Sequence, residues 1–186
     1  MNEKAMNEKT DRRITRSQRA IQTAFLEMLE ERDFDSITVK NITEKADISR
    51  KTFYLHYVDK FDLLNTIVNR HLGELQRICE GKKDKGFVEG TIIWFRYFDE
   101  QRSFFASLFE TESTVAFRHR LLAFITEQFN IHLDEAHSRK NNEVLRNFMA
   151  MAVLGVLESY VLGHFSGGLE EVAGEVGALL EQLIVG

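Results

Sequence analysis

The chain has 186 residues, 44% of them hydrophobic and 28% charged, with a formal net charge of −5, a globular composition long enough for one large domain or two small ones. No run of eighteen apolar residues occurs and the opening MNEKAMNEKTDRR holds no apolar stretch, so no membrane-spanning helix or secretory signal is expected, and a cytoplasmic location is. The single cysteine, Cys79, excludes an intramolecular disulfide framework.

Proline is absent, which removes the commonest helix breaker, and strand-like alternation is nowhere sustained; the pattern predicts an all-α chain of about nine helices. In chain order, the MNEK of Met1–Lys4 repeats at Met6–Lys9, and residues 1–14 read as a flexible polar tail. Arg12 and Arg13 there, and Arg16 just beyond, are available to phosphates or a minor groove. Thr15–Arg32 is the first helix, with Ile21, Ala24, Phe25, Met28 and Leu29 as its apolar stripe, joined by Phe34 and Ile37.

The segment Ser36–Leu64 reads as two short helices and the start of a third. Thr38 can cap the first, because a hydroxyl accepts from an otherwise orphan backbone N–H. Val39, Ile42 and Ala46 then share a face. Asp47 breaks the run at a turn position that favours positive φ, and Ser49 caps a second helix over Arg50–Tyr57. Phe53 and Tyr57 face one way on it; Arg50, Lys51 and Thr52 face another. Asp59 caps the next helix, Lys60 to about Gly81, whose inward positions are Phe61, Leu64, Ile67, Val68, Leu72 and Leu75. Two short helices with a polar, basic N-terminal end on the second describe a helix-turn-helix. The charge distribution allows this despite the net −5: residues 1–60 carry 12 Lys and Arg against 11 Asp and Glu, the remainder 12 against 18, and local basic patches set phosphate contact.

Residues 81–86, GKKDKG, are a polar break. Further helices follow over Phe87–Phe98, Ser103–Phe109, Thr114 to about His137, with Leu133 inward, Asn141–Phe165 and Leu169–Ile184. The domain boundary is expected inside the fourth helix, giving a helix-turn-helix unit over 15–62 and a regulatory and dimerisation unit over 63–186.

The pattern of Thr38, Val39, Ile42, Ala46, Ser49, Thr52, Tyr54, His56, Lys60, Leu63 and Leu64 resembles the DNA-binding module of TetR/AcrR-family transcriptional regulators. Thr43, Asp47, Ile48, Phe53 and Tyr57 depart from the family pattern. The segment WFRYFDEQRSFFASLF, residues 94–109, also resembles a regulatory-domain subtype of that family. The resemblance implies a sequence-specific DNA-binding regulator, a repressor relieved by a small-molecule effector, acting as a homodimer on a pseudo-palindromic operator of double-stranded DNA. Its alternatives are an activator or co-activator acting through a protein partner, and an interaction module that has lost DNA binding.

By the same resemblance Arg50, Lys51 and Thr52 meet base edges, while Thr38, Tyr54, His56 and Lys60 hold phosphates; Ser49 and Lys40 complete the DNA-binding set. Arg and Lys suit guanine O6 and N7, whereas hydroxyl, phenol and ammonium donors fix position without reading sequence. Small residues Ala152, Gly155, Ser159 and Gly163, with Ala173 and Gly177, recur at helical spacing. Flanked by Phe148, Met151, Leu162, Val176, Leu180 and Ile184, they point either to a four-helix dimer interface or to close packing within one subunit. Trp94, Phe95, Phe98, Phe105, Phe109, Phe117, Phe124, Met149 and Tyr160 can wall a pocket for a small apolar ligand or fill a solid core. The histidines, His56, His71, His119, His132, His137 and His164, lack metal-site spacing, and no catalytic motif or cofactor signature is present. No metal, cofactor or enzymatic activity is therefore expected.

Overall fold

A computed structural model of the chain describes residues 3–81, 85–135 and 143–185, with side chains from Arg12 onward except those of residues 112, 132–135 and 185. His132, Leu133 and His137 thus lie outside the described side chains, as does the centre of the GKKDKG break. The described elements are nine α-helices and two 3-10 turns, with no strand among them. They are α1 (Glu3–Glu31), α2 (Val39–Lys45), α3 (Arg50–Tyr54), α4 (Lys60–Gly81), α5 (Gly86–Glu100), α6 (Arg102–Glu110), α7 (Val115–Glu135), α8 (Glu143–Val161) and α9 (Leu169–Val185). The chain forms two compact units, Met1–Asn69 and Arg70–Gly186, and the division falls within α4.

In the first unit α1 begins at Glu3, not at Thr15. The segment expected as a flexible tail holds neither Gly nor Pro and is rich in Glu, Lys and Arg, so nothing in it stops the helix. Its apolar stripe closes a core with Phe34, Ile37, Ile42, Phe53, Leu63 and Ile67, all fully buried. Phe61, expected inward, is 45% exposed, with its ring edge-to-face with Phe34.

In the second unit the most extensive helix pairing is α5 against α9. Its cause is Gly177: a Cβ there would come within 2.6 Å of Val88 Cα and 2.9 Å of the Phe87 carbonyl. Only glycine lets these backbones meet so closely. A cluster of rings fills the centre, with Phe98 on Phe105 at 4.4 Å, Phe105 on Phe117 at 5.9 Å and Phe109 on Phe117 at 5.4 Å. Polar bonds tie its rim. Arg102 donates to the carbonyls of Val161 and Tyr160 at the end of α8, at 2.9 and 2.7 Å. Arg118 pairs with Glu158 at 2.7 Å and donates to the Phe109 carbonyl. Among the described helices α8 is long and apolar enough to cross a membrane by length and composition, and only 33% of that stretch is buried.

Candidate nucleic-acid interface

Each boundary of the helix-turn-helix is set by a local polar device. Thr38 accepts from the Asn41 N–H while Asn41 Oδ1 accepts from the Thr38 N–H, at 3.2 Å each, a reciprocal box that fixes the start of α2. The helix ends in a Schellman motif. Ile48 N–H donates to the Thr43 carbonyl at 3.0 Å, Asp47 N–H to that of Glu44 at 3.3 Å, and Asp47 takes φ 51°. An aspartate thus occupies the left-handed position where glycine is commonest. Ser49 then caps α3 by accepting from the Thr52 N–H at 3.1 Å. The helix stops at Tyr54, three residues before the expected end, and Leu55 caps it.

These devices leave Arg50, Lys51 and Tyr54 exposed on α3 and Thr38, Lys40 and Ser49 exposed beside it. Thr52 is half-buried and bonds the Ser49 hydroxyl at 2.9 Å. Lys40 lies 3.8 Å from Glu44 across a solvated pair that contributes little to stability. Arg12, Arg13, Arg16 and Arg19 are exposed on α1. Phe53 and Tyr57 are buried and anchor α3 from behind, with Tyr57 accepting from Gln22 of α1 at 2.9 Å.

Two residues expected at phosphates are placed differently. Lys60 donates to the carbonyls of Phe34, Asp35 and Ile37 at 2.9, 3.1 and 2.9 Å, which uses all three of its hydrogens. Its ammonium also sits 4.4 Å over the Phe34 ring. Burial lowers its pKa, with Asp35 opposing. In the chain without DNA, Lys60 clasps the 3-10 turn between α1 and α2. His56, also half-buried, has Nε2 2.7 Å from Ser17 Oγ of α1, and burial lowers its pKa too. It ties the turn after α3 to α1. The sequence signal for Lys60 is its register in the family pattern, and register cannot say which acceptor an ammonium finds.

The second unit divides the expected dimer stripe. Phe148, Met151, Ala152 and Gly155 are exposed on one face of α8, and a Cβ on Gly155 would meet nothing within 4 Å. Ser159, Leu162 and Ile184 are half-buried. Gly163, by contrast, has φ 78° and ends α8 in a second Schellman motif, its role being conformational. Ala173, Val176, Gly177 and Leu180 are buried on the side of α9 that meets α5; they pack within the subunit. The exposed apolar residues of α9 are Leu179 and Leu183, which no small-residue spacing marks.

A cavity of about 160 Å³ lies among α4, α5, α7, α8 and α9, walled by Cys79, Gly86, Phe87, Gly90, Thr91, Trp94, Ile125, Gln128, Phe129, Val153 and Leu180. Of the aromatic set expected to line a pocket only Trp94 does so. Phe95, Phe98, Phe105, Phe109, Phe117, Met149 and Tyr160 are buried, the rings packed on one another, and Phe124 is half-buried away from the cavity. Among the described residues no cluster of three metal-ligating side chains occurs.

Comparison with known proteins follows this division. Residues 21–67 match the family of bacterial regulatory proteins, tetR family, and residues 87–182 match a transcriptional regulator C-terminal region. A helix-turn-helix-type regulator of Bacillus subtilis, YxbF, is 42% identical over 74 residues, 39% of this chain and 20% of its own length. DhaS of Lactococcus lactis, described as the dhaKLM operon transcriptional activator, is 28% identical over 93 residues, covering 50% of this chain and 49% of DhaS. The chain's match therefore spans about half, or less, of these curated relatives. Among solved structures a TetR regulator of Streptococcus agalactiae superposes with a TM-score of 0.74 at 21% identity, over 94% of this chain and 98% of that one. The dihydroxyacetone kinase operon activator DhaS gives 0.69 at 22%, over 91% and 96%. With a capped helix-turn-helix in the first unit and family matches in both, the chain belongs to the TetR family and is a DNA-binding transcriptional regulator.

Proposed function

We propose that this regulator reads a pseudo-palindromic operator as a cytoplasmic homodimer and acts as a repressor released by a small-molecule effector. The observation that carries the reading is the exposed trio Arg50, Lys51 and Tyr54 on a helix whose start, rear face and preceding turn are all fixed. Arg50, Lys51 and Thr52 meet base edges in the major groove. Thr38, Lys40, Ser49 and Tyr54 serve phosphates around them. Dimerisation uses the α8 face of Phe148, Met151, Ala152 and Gly155, extended by Leu179 and Leu183, and it covers apolar area otherwise left to water. Functionally the DNA-binding unit is residues 15–62 and the regulatory unit 63–186, so α4 supplies residues to both and is where effector binding is coupled to DNA. Such coupling requires two states with different ligand affinity.

A second reading, activation, is favoured by the similarity to DhaS, an operon activator, over half of this chain. Binding to DNA upstream of the coding region, measured against random DNA across a salt series, tests operator recognition in either case. Specific binding with a steep salt dependence is expected. Arg50→Ala should relax discrimination at particular base pairs by about 1–3 kcal/mol each; equal weakening on specific and random DNA would remove Arg50 from the base edges. In vitro transcription from the bound promoter then separates repression from activation.

A further inference from the structure

The cavity in the second unit has one wall that differs from the rest. Its lining carries no charged side chain, and Phe87, Trp94, Ile125, Phe129, Val153 and Leu180 make most of it. On α5, however, Thr91 and Trp94 lie three residues apart, both on the cavity wall and both more than nine-tenths buried. No hydrogen-bond partner for the Thr91 hydroxyl occurs among the described residues. The Trp94 indole N–H, a donor only, is likewise without one. Buried polar groups are ordinarily paired, and leaving one unpaired is unfavourable. Trp94 Nε1 is thus a buried donor without a partner, and the Thr91 hydroxyl shares its helix face on the wall of an apolar hollow; together they describe a site whose missing part is a hydrogen-bond acceptor.

We propose that this cavity binds a compact neutral molecule, one apolar ring or its equivalent in size, bearing a single oxygen acceptor that meets Thr91. Size follows from the volume: about 160 Å³ here compares with about 150 Å³ for an apolar cavity that admits benzene. Neutrality follows from the lining, since a charge there would meet no counter-charge and would lose its hydration. Polarity at one end follows from Thr91, whose hydroxyl donates to a ketone, ether or alcohol oxygen. The apolar body lies against Trp94, Phe129 and Leu180. The proposal names the ligand class for the effector-responsive reading and rests on that reading only for the consequence at DNA.

The chain provides its own reporters, because Trp94 is its sole tryptophan and Cys79, also on the wall, its sole cysteine. The intact protein is titrated with acetophenone, benzyl alcohol, toluene and benzoate, following Trp94 emission and the rate of Cys79 alkylation by iodoacetamide. Acetophenone and benzyl alcohol should change Trp94 emission saturably and slow alkylation. Toluene, which lacks the acceptor, should bind about fivefold to tenfold more weakly, and benzoate should not bind. Thr91→Val should abolish the preference over toluene, while Val153→Phe should fill the hollow and block all three neutral compounds. Silence of both reporters, or an unchanged preference in folded Thr91→Val, would overturn the proposal. Operator affinity is measured in parallel. If the reporters respond and DNA binding does not change, the cavity stands and the effector reading fails. A compound that shifts DNA binding while leaving both reporters unmoved acts elsewhere, and the cavity proposal fails.

Discussion

The two units present their functional residues in opposite ways. The helix-turn-helix holds Arg50, Lys51 and Tyr54 out to solvent on a frame of polar bonds: a reciprocal box at Thr38, an aspartate in the left-handed position, a serine cap and a lysine clasp. The second unit turns its distinctive side chains inward, onto a core of stacked rings, a cavity and a close helix crossing. Polar frames are directional, so they fix orientation at the surface. Apolar packing is not directional, and shape alone decides where it leaves space.

The largest effect should come from breaking the packed side of that contrast. In Gly177→Val the new Cβ would be 2.6 Å from Val88 Cα, so α5 and α9 must separate. A loss of about 3 kcal/mol is expected, read as a lower urea midpoint at unchanged slope. Gly155→Ala, with open space around the added carbon, should instead stabilise isolated subunits by up to about 1 kcal/mol through helix propensity, while weakening self-association by sedimentation. Equal effects of the two substitutions would erase the distinction between an inner and an outer stripe.

The polar frame is tested at Lys60. Lys60→Met removes three charge-assisted bonds and leaves three carbonyls of the turn without that partner, at a cost of about 2–3 kcal/mol. The slope of log affinity against log salt should stay unchanged in protein that remains folded. A slope smaller by about one would return Lys60 to the phosphates.

These differences track what was legible in the sequence. Thr38, Asp47, Ser49 and Asp59 act on neighbours within four residues, so their consequences could be read locally; Asp59 indeed accepts from the Asp62 N–H at 2.8 Å. Lys60 reaches back more than twenty residues to Phe34 and Ile37, and no local pattern reveals that. The small-residue stripes of α8 and α9 look alike in sequence, yet Gly155 faces outward, Gly177 meets α5 and Gly163 serves a turn. Small size announces a close approach or an unusual φ but not its partner. Aromatic density likewise announced a large core and misplaced the hollow, because whether rings fill a space depends on the angles at which helices cross. The helical extension through residues 3–14 was hidden by polarity, which excludes a core position and says nothing against a helix.

The smallest effect concerns a group that belongs to neither surface. His71, at 7% exposure, stacks on Phe104 at 4.6 Å and has Nδ1 2.6 Å from Tyr97 Oη. Burial first, then the nearby Arg70 charge, lowers its pKa to about 4, against the pull of Glu74, while burial raises Tyr97 to about 12. Both groups are therefore neutral at pH 7, and they share one hydrogen bond between Nδ1 and Oη. The unfolded chain takes up a proton near pH 6.5, whereas the folded chain resists until about 4. Stability is thus complete above pH 6.5 and falls as pH drops toward 4, by about 2 kcal/mol at pH 4.5. Urea midpoints of the native chain and of His71→Gln, compared between pH 7.5 and 4.5, isolate this contribution from the carboxylates, which titrate in both. The native chain should lose more stability across that window. Parallel decline of the two proteins would mean that the imidazole gains its proton without opening the core, and that the aromatic interior is less closed to charge than its ring contacts require.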